Sequence, residues 1–261
     1  MSDNQALGLA CMEVWGGNGR VSQALDLPGL LGWVYSEPYA GSETGGDVYY
    51  LSACSKGQVA RICIADVAGH GAPASQMAAT LRELMRKHVN AWDQSDFARE
   101  LNRAFQATVS PGKFATVALF GLYSVTGELV ATNGGHMPPL WYRHALKRWE
   151  LLGDAVAPDA ADIGLPLGII DGTSYIQTAV RLLPGDVLVL YTDAFNEAPD
   201  PKGEMLGVNG LLKLANELPV DSPAVTGQAL LDAVARYRAG APAPDDQTLL
   251  VLQRIYQPAA A

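Results

Sequence analysis

The sequence predicts an α+β fold in which antiparallel sheets are covered by helices. Three observations lead there. Strand-like segments come in groups and do not alternate one for one with helices, as they would in a parallel-sheet protein. The hydrophobic spacing turns helical in two separate blocks, residues 72–108 and 208–237. Turn signals, Lys56-Gly57 and above all Pro184-Gly185, sit between neighbouring strand segments.

Each element follows in order. Residues 1–28 are glycine-rich and weakly periodic, and read as an irregular lead-in or short extra elements. Segments 31–35, 47–53 and 58–66 are rich in β-branched, aromatic and other apolar residues and read as strands. Apolar residues then fall at Ala74, Met77, Ala78, Leu81, Leu84, Met85 and Val89, which is helical spacing over residues 72–89. A second helix over 95–108 aligns Phe97, Leu101, Ala104, Phe105 and Thr108; Asp93 or Ser95 caps it, and Pro111-Gly112 stops it. Strands are expected at 114–123 and 127–133 around the turn Val125-Thr126-Gly127, and at 139–143 and 146–152. Residues 153–167 have little pattern and read as a loop. Strands at 174–182 and 186–192 flank Pro184-Gly185, helices cover 208–217 and 223–237, and strand 248–256 closes the series. With no linker long enough to divide it, the chain is expected to be one domain over residues 29–257, preceded by the 1–28 lead-in.

Composition narrows the function. The chain has 261 residues, 49% of them hydrophobic and 17% charged, enough for a packed core. Eighteen Lys and Arg against 27 Asp and Glu give a net charge of -9. That acidity speaks against nucleic acid and against an anionic membrane as partner. No apolar run reaches the length of a spanning helix. There is no Lys or Arg before Arg20, hence no basic region of a signal peptide. Three cysteines, Cys11, Cys54 and Cys63, make no disulfide framework, and Cys54 and Cys63 read as packed thiols. A reducing, cytoplasmic location is expected.

Four places look unlike ordinary surface acid: Gly45-Gly46-Asp47, Asp66-Val67-Ala68-Gly69-His70-Gly71, Tyr191-Thr192-Asp193, and Asp245-Asp246-Gln247-Thr248. Each sets an Asp at the end of an apolar strand, a rigid mount. Carboxylates converging from separate strands repel unless cations sit between them. Oxygen-only ligation suits Mg²⁺ or Mn²⁺. Two such ions would lower the pKa of a bridging water and make it a nucleophile for phosphorus. Taken singly, an Asp beside a Gly is more often a turn or a cap. His70 and His136, beside glycines, read as satisfied by backbone groups and not as ligands.

In this order the motifs resemble the SpoIIE class of bacterial serine phosphatases, within the metal-dependent, protein phosphatase 2C-like superfamily. Asn133-Gly134-Gly135-His136-Met137-Pro138-Pro139, Leu165-Pro166-Leu167-Gly168-Ile169, Pro184-Gly185-Asp186 and Asn196-Glu197-Ala198 add to the likeness, which runs from about residue 30 to 255. The resemblance implies a sandwich of two antiparallel β-sheets flanked by α-helices, with two Mn²⁺ or Mg²⁺ ions at one edge. By its pattern Asp66 bridges both ions, Asp47 and the Val67 backbone carbonyl hold one, and Asp193 and Asp245 hold the other. Asp66 and Asp193 would thereby hold the nucleophilic water. Asp246, where relatives carry Asn or Asp, ranks below Asp245. Ala194 replaces a usual Gly, Tyr50 a frequent acid, and Gly134 a common Ala. No basic residue lies between Val21 and Asp47 to hold phosphate.

The activity so implied is hydrolysis of phosphoserine or phosphothreonine on a protein, of the STAS-type anti-anti-sigma kind used in partner switching. With no sensor domain fitting in residues 1–28, control is expected from a separate regulatory protein, from the helices at 72–109, or not at all. The alternative is a phosphatase fold that has decayed into a binding module, with Ala194 and Tyr50 as its signs.

Overall fold

A computed structural model describes residues 7–8, 14–54, 58–69, 71–88, 93–153 and 164–256. Lys56-Gly57, His70 and most of the 153–167 segment lie outside the described residues. In chain order the strands are β1 (Leu7–Gly8), β2 (Val14–Gly19), β3 (Val21–Leu27), β4 (Leu30–Glu37), β5 (Thr44–Cys54) and β6 (Val59–Val67). Helices α1 (Gly71–His88) and α2 (Gln94–Thr108) follow. Then come β7 (Ala115–Tyr123), β8 (Glu128–Gly134), β9 (Leu140–Arg143), β10 (Arg148–Leu151), β11 (Gln177–Arg181) and β12 (Val187–Tyr191). Helices α3 (Gly207–Asn216) and α4 (Pro223–Tyr237) precede the last strand, β13 (Gln247–Arg254).

Seven strands form one sheet in the order β1-β3-β4-β13-β12-β9-β10, and six form the other as β11-β8-β7-β6-β5-β2. Neighbours are antiparallel except for the short β1–β3 pair, which is parallel. Strand alternation sorts side chains into three apolar layers. Tyr49, Leu51, Ile62, Ile64, Phe120, Leu188, Leu190 and Leu250 point between the sheets. Val48, Tyr50, Cys63, Ala65 and Val67 point outward and meet Ala74, Ala78, Leu81 and Met85 of α1 and Phe97, Leu101 and Phe105 of α2. On the far side Val187, Val189, Tyr191, Leu249 and Val251 meet Leu211 of α3 and Leu230 and Val234 of α4. The expected α-β-β-α sandwich is therefore the fold. Strands buried on both faces read as continuous apolar runs although they are antiparallel.

Residues 14–27, expected to be irregular or short extra elements, are strands in both sheets. The chain passes from β2 in one sheet to β3 in the other across Arg20. The strand expected at 146–152 begins only at Arg148, because Lys147, at φ 53°, belongs to the turn before it. The strand expected at 174–182 narrows to β11. Asp93 caps α2, its carboxylate accepting the Ser95 and Asp96 amides at 2.8 and 2.9 Å.

Candidate metal centre

The four aspartates meet at one edge of the sandwich. Asp47 of β5 stands directly opposite Asp66 of β6, and Thr116 of β7 stands opposite Asp66. Asp47 shares the alternation of Tyr49 and Leu51, and Asp66 that of Ile62 and Ile64, so both carboxylates face between the sheets. The other sheet brings Asp193, just after β12, beside Asp245, just before β13. These strands are antiparallel neighbours, with Tyr191 opposite Leu249. Thr192 joins the two sheets. Its hydroxyl donates to Asp47 Oδ2 at 2.8 Å and accepts the Thr248 amide at 3.0 Å.

Such a grouping is electrostatically unfavourable without cations, since like charges opposite each other on one face destabilise a sheet. Burial, then the charges of Asp193, Asp245, Asp246 and Glu197, push the Asp66 carboxyl up to about 7. Burial, Glu197 and Asp245 push Asp193 up to about 6, against a hydrogen bond from the Ala194 amide. Asp47, only 3% exposed, is held well above the usual carboxylate range by burial and by Asp66, a shift the Thr192 hydroxyl partly relieves. Among the described residues, no three His, Cys, Asp or Glu side chains already stand close enough to form a ready ligand set. The donors are oxygens only, the set that fits hard divalent ions.

Asp246 is placed differently from the other four. Its Oδ1 accepts the Tyr39 amide and its Oδ2 the Gly46 amide, both at 2.6 Å. The glycines of Gly45-Gly46-Asp47 are explained by close approach. A Cβ on Gly45 would lie 2.5 Å from the Asp246 carboxyl, and one on Gly46 would lie 3.0 Å from the Val67 carbonyl oxygen. Val67, its side chain buried against the helices, therefore turns its carbonyl toward the start of β5 beside Asp47.

The family model for stage II sporulation protein E, SpoIIE, matches residues 56–255. The chain belongs to the SpoIIE family. Gly45-Gly46-Asp47 precedes the matched stretch, and the fold brings it to the same edge as the rest. The chain is similar to the phosphoserine phosphatase RsbU of Bacillus subtilis (strain 168), at 26% identity over 213 residues. That match covers 81% of this chain and 60% of RsbU, so the chain spans about three fifths of that relative's length. It superposes on the SiaA-PP2C domain of Pseudomonas aeruginosa with a TM-score of 0.71 at 20% identity, covering 85% of each chain. The catalytic domain of the serine threonine protein phosphatase PstP, solved in complex with 2 manganese ions, superposes with a TM-score of 0.59 at 15% identity. There 87% of this chain and 98% of PstP's are covered. The fold is that of the protein phosphatase 2C-like enzymes.

Several SpoIIE-family motifs prove to be supports for the edge. Asn133 closes a turn, its side chain accepting the His136 amide at 2.7 Å and donating to the His136 carbonyl at 2.9 Å. His136 Nδ1 lies 2.8 Å from the Thr116 hydroxyl, next to Asp66 in the sheet, so a side chain engages this nitrogen, while the buried Nε2 has no hydrogen-bond partner among the described residues. Asn102 of α2 holds the segment after Leu165 by accepting the Gly168 amide and donating to the Ile170 carbonyl, both at 2.8 Å. Asp186 accepts the Leu183 and His144 amides and the Trp141 indole N–H, anchoring β12 at the end away from the metal edge. Ala194, where the family has Gly, is buried and is not among the positive-φ residues, so the turn needs no glycine there. Tyr50 packs on the helix side, away from the carboxylates.

Sequence reasoning missed Thr192 and Glu197, and the contacts of Asp246. Thr192 was read only as part of a motif, although its position one residue beyond outward-facing Tyr191 implies an inward side chain. Glu197 was likewise passed over as a neighbour of Asp193. Its amide donates to the Asp193 carbonyl at 2.8 Å, a helical turn, and spacing by four residues was the available signal. Nothing local signals that Asp246 grips Tyr39 and Gly46.

Proposed function

We propose that this chain is a metal-dependent protein serine/threonine phosphatase. The convergence of Asp47, Asp66, Asp193 and Asp245 from two sheets carries this reading, and the raised pKa values of Asp47, Asp66 and Asp193 agree with it. Asp47, Asp66 and the Val67 carbonyl would hold one Mn²⁺ or Mg²⁺ ion, and Asp193 and Asp245 the other, with Asp66 shared. When bound, two such ions lower the pKa of a water and offset the charge of the phosphoryl oxygens. Thr192 orients Asp47 and favours its ionised form by donating to it, and the Ala194 amide does the same for Asp193, each against the larger effect of burial. The rigid strand ends keep the carboxylates in place. Similarity to RsbU supports a phosphoserine substrate, and the SpoIIE-class resemblance points to a STAS-type phosphoprotein in cytoplasmic partner switching, with a separate regulator. Among the described residues no helix is long and apolar enough to cross a membrane. The decayed-module reading draws no support from Ala194, which is buried without a positive φ, or from Tyr50, which packs on the helix side away from the carboxylates.

The test is phosphate release from an aryl phosphate and from phosphoserine STAS proteins, with and without Mn²⁺. Removing groups that merely orient ligands costs about 10–100-fold, so Asp193→Asn should lose more than about 100-fold. Circular dichroism should show the fold unchanged. Turnover that survives excess chelator, or survives in Asp193→Asn, would sink the mechanism.

A further inference from the structure

Asp246 is the neighbour of a proposed ligand, yet its carboxylate is already engaged. Each oxygen accepts one backbone amide, Tyr39 or Gly46, at 2.6 Å, and the residue is only 7% exposed. Its own amide donates to Asp245 Oδ1 at 2.8 Å. Tyr39 opens the short 3-10 turn Tyr39–Gly41, and Gly46 immediately precedes Asp47. Between them the chain leaves β4 in one sheet and enters β5 in the other. Asp246 itself immediately precedes β13, the partner of β4. One carboxylate thus grips both ends of the crossover that delivers Asp47 to the edge. Gly45 supplies the recess, since a Cβ there would lie 2.5 Å from all three carboxyl atoms.

We propose, on the metal-centre reading above, that Asp246 is a positioning residue: it locks the β4–β5 crossover in register so that Asp47 faces Asp66, with Gly45 as its matched recess. Hydrogen bonds from amides to a carboxylate are roughly twice as strong as neutral ones, so the lock is stiff. They also occupy the oxygens that a metal would otherwise use. The charge of Asp246 is directed at the backbone, while Asp245 is left for the ion.

Three variants test this. Asp246→Asn keeps the shape and one acceptor oxygen, Gly45→Ala fills the recess, and Asp246→Ala empties it. Calorimetric Mn²⁺ titration should find two ions bound by wild type and by Asp246→Asn, the latter about 10–100-fold more weakly, with turnover recovering at high Mn²⁺. In chelated protein, amide exchange at Tyr39 and Gly46 should quicken at least about tenfold in Asp246→Asn while Val34 stays protected. The stability loss from Gly45→Ala should shrink at least about twofold in the Asp246→Ala background, because the two side chains share one space. Loss of one bound ion in Asp246→Asn with unchanged exchange makes Asp246 a ligand and overturns the proposal. Wild-type affinity with unchanged exchange overturns it as well. If wild type itself binds no Mn²⁺ and hydrolyses nothing, the functional reading fails. The exchange and coupling results then decide the lock alone, and additive losses with unchanged exchange overturn it.

Discussion

His136 shows how a polar residue beside an apolar core is managed. It is 3% exposed, and burial holds its imidazolium down to about 4, against a smaller upward pull from the Tyr191 backbone. In the unfolded chain a histidine titrates near 6.5. The folded state therefore favours the neutral ring. The stability this contributes is fully present above about pH 6.5 and is lost as pH falls toward about 4. Its full size is about 3 kcal/mol, of which about 2 kcal/mol is lost by pH 5. The raised carboxyls of Asp66 and Asp193 act in the opposite sense, so the ring is isolated by comparison. Urea unfolding of wild type and His136→Asn at pH 7 and pH 5 should show the wild-type advantage shrinking by about 2 kcal/mol. An advantage that does not change with pH would show that the ring is not buried neutral.

At the scale of elements, the helices were the most legible parts and the glycine-rich strands the least. The stripe Ala74, Ala78, Leu81 and Met85 faces the sheet as its spacing implies, and α1 lies within a residue of the expected ends. β2 escaped because Gly16, Gly17 and Gly19 erase the two-residue alternation that marks a half-buried strand. Inside α4 the reverse problem arises. Gly227 looks like a weak point, since alanine is favoured over glycine in a helix interior by about 1 kcal/mol. Yet a Cβ there would lie 2.5 Å from the Trp33 ring and 3.0 Å from Val251. Gly227→Ala should thus destabilise, by about 1–3 kcal/mol, as overpacked cores do. Thermal unfolding with Trp33 fluorescence would check it, and a raised melting temperature would show that the helix can step back from the sheet.

Across the whole molecule, the fold class and the meeting of four aspartates at one edge were legible because each motif carries its signal locally: an acid at one end of an apolar run, often with glycine. The contacts that join motifs were not. Thr192 to Asp47 spans 145 positions of sequence, and Asp246 to Gly46 spans 200. No period or spacing encodes such pairs; they exist only after two sheets have closed on each other. Their assembly also sets the response to metal. Ligands that bind only the folded state stabilise it, by about 2.7 kcal/mol per site at a hundredfold excess over the dissociation constant. Adding Mn²⁺ to chelated protein should raise the melting temperature by several degrees, and Asp193→Asn should blunt the rise. Equal shifts in both proteins, followed by scanning calorimetry, would place the ions elsewhere.

The position of β13 has one more consequence. It is the last strand of the series, yet it lies in the middle of its sheet, between β4 and β12. Without residues 245–254 that sheet would divide into two pieces, β1-β3-β4 on one side and β12-β9-β10 on the other. Asp193 then has no Asp245 beside it, and the β4–β5 crossover has no Asp246 to hold it. The edge is therefore closed by one segment: a chain truncated before Asp245 would carry three of the four aspartates, with neither the neighbour of Asp193 nor the grip on the β4–β5 crossover.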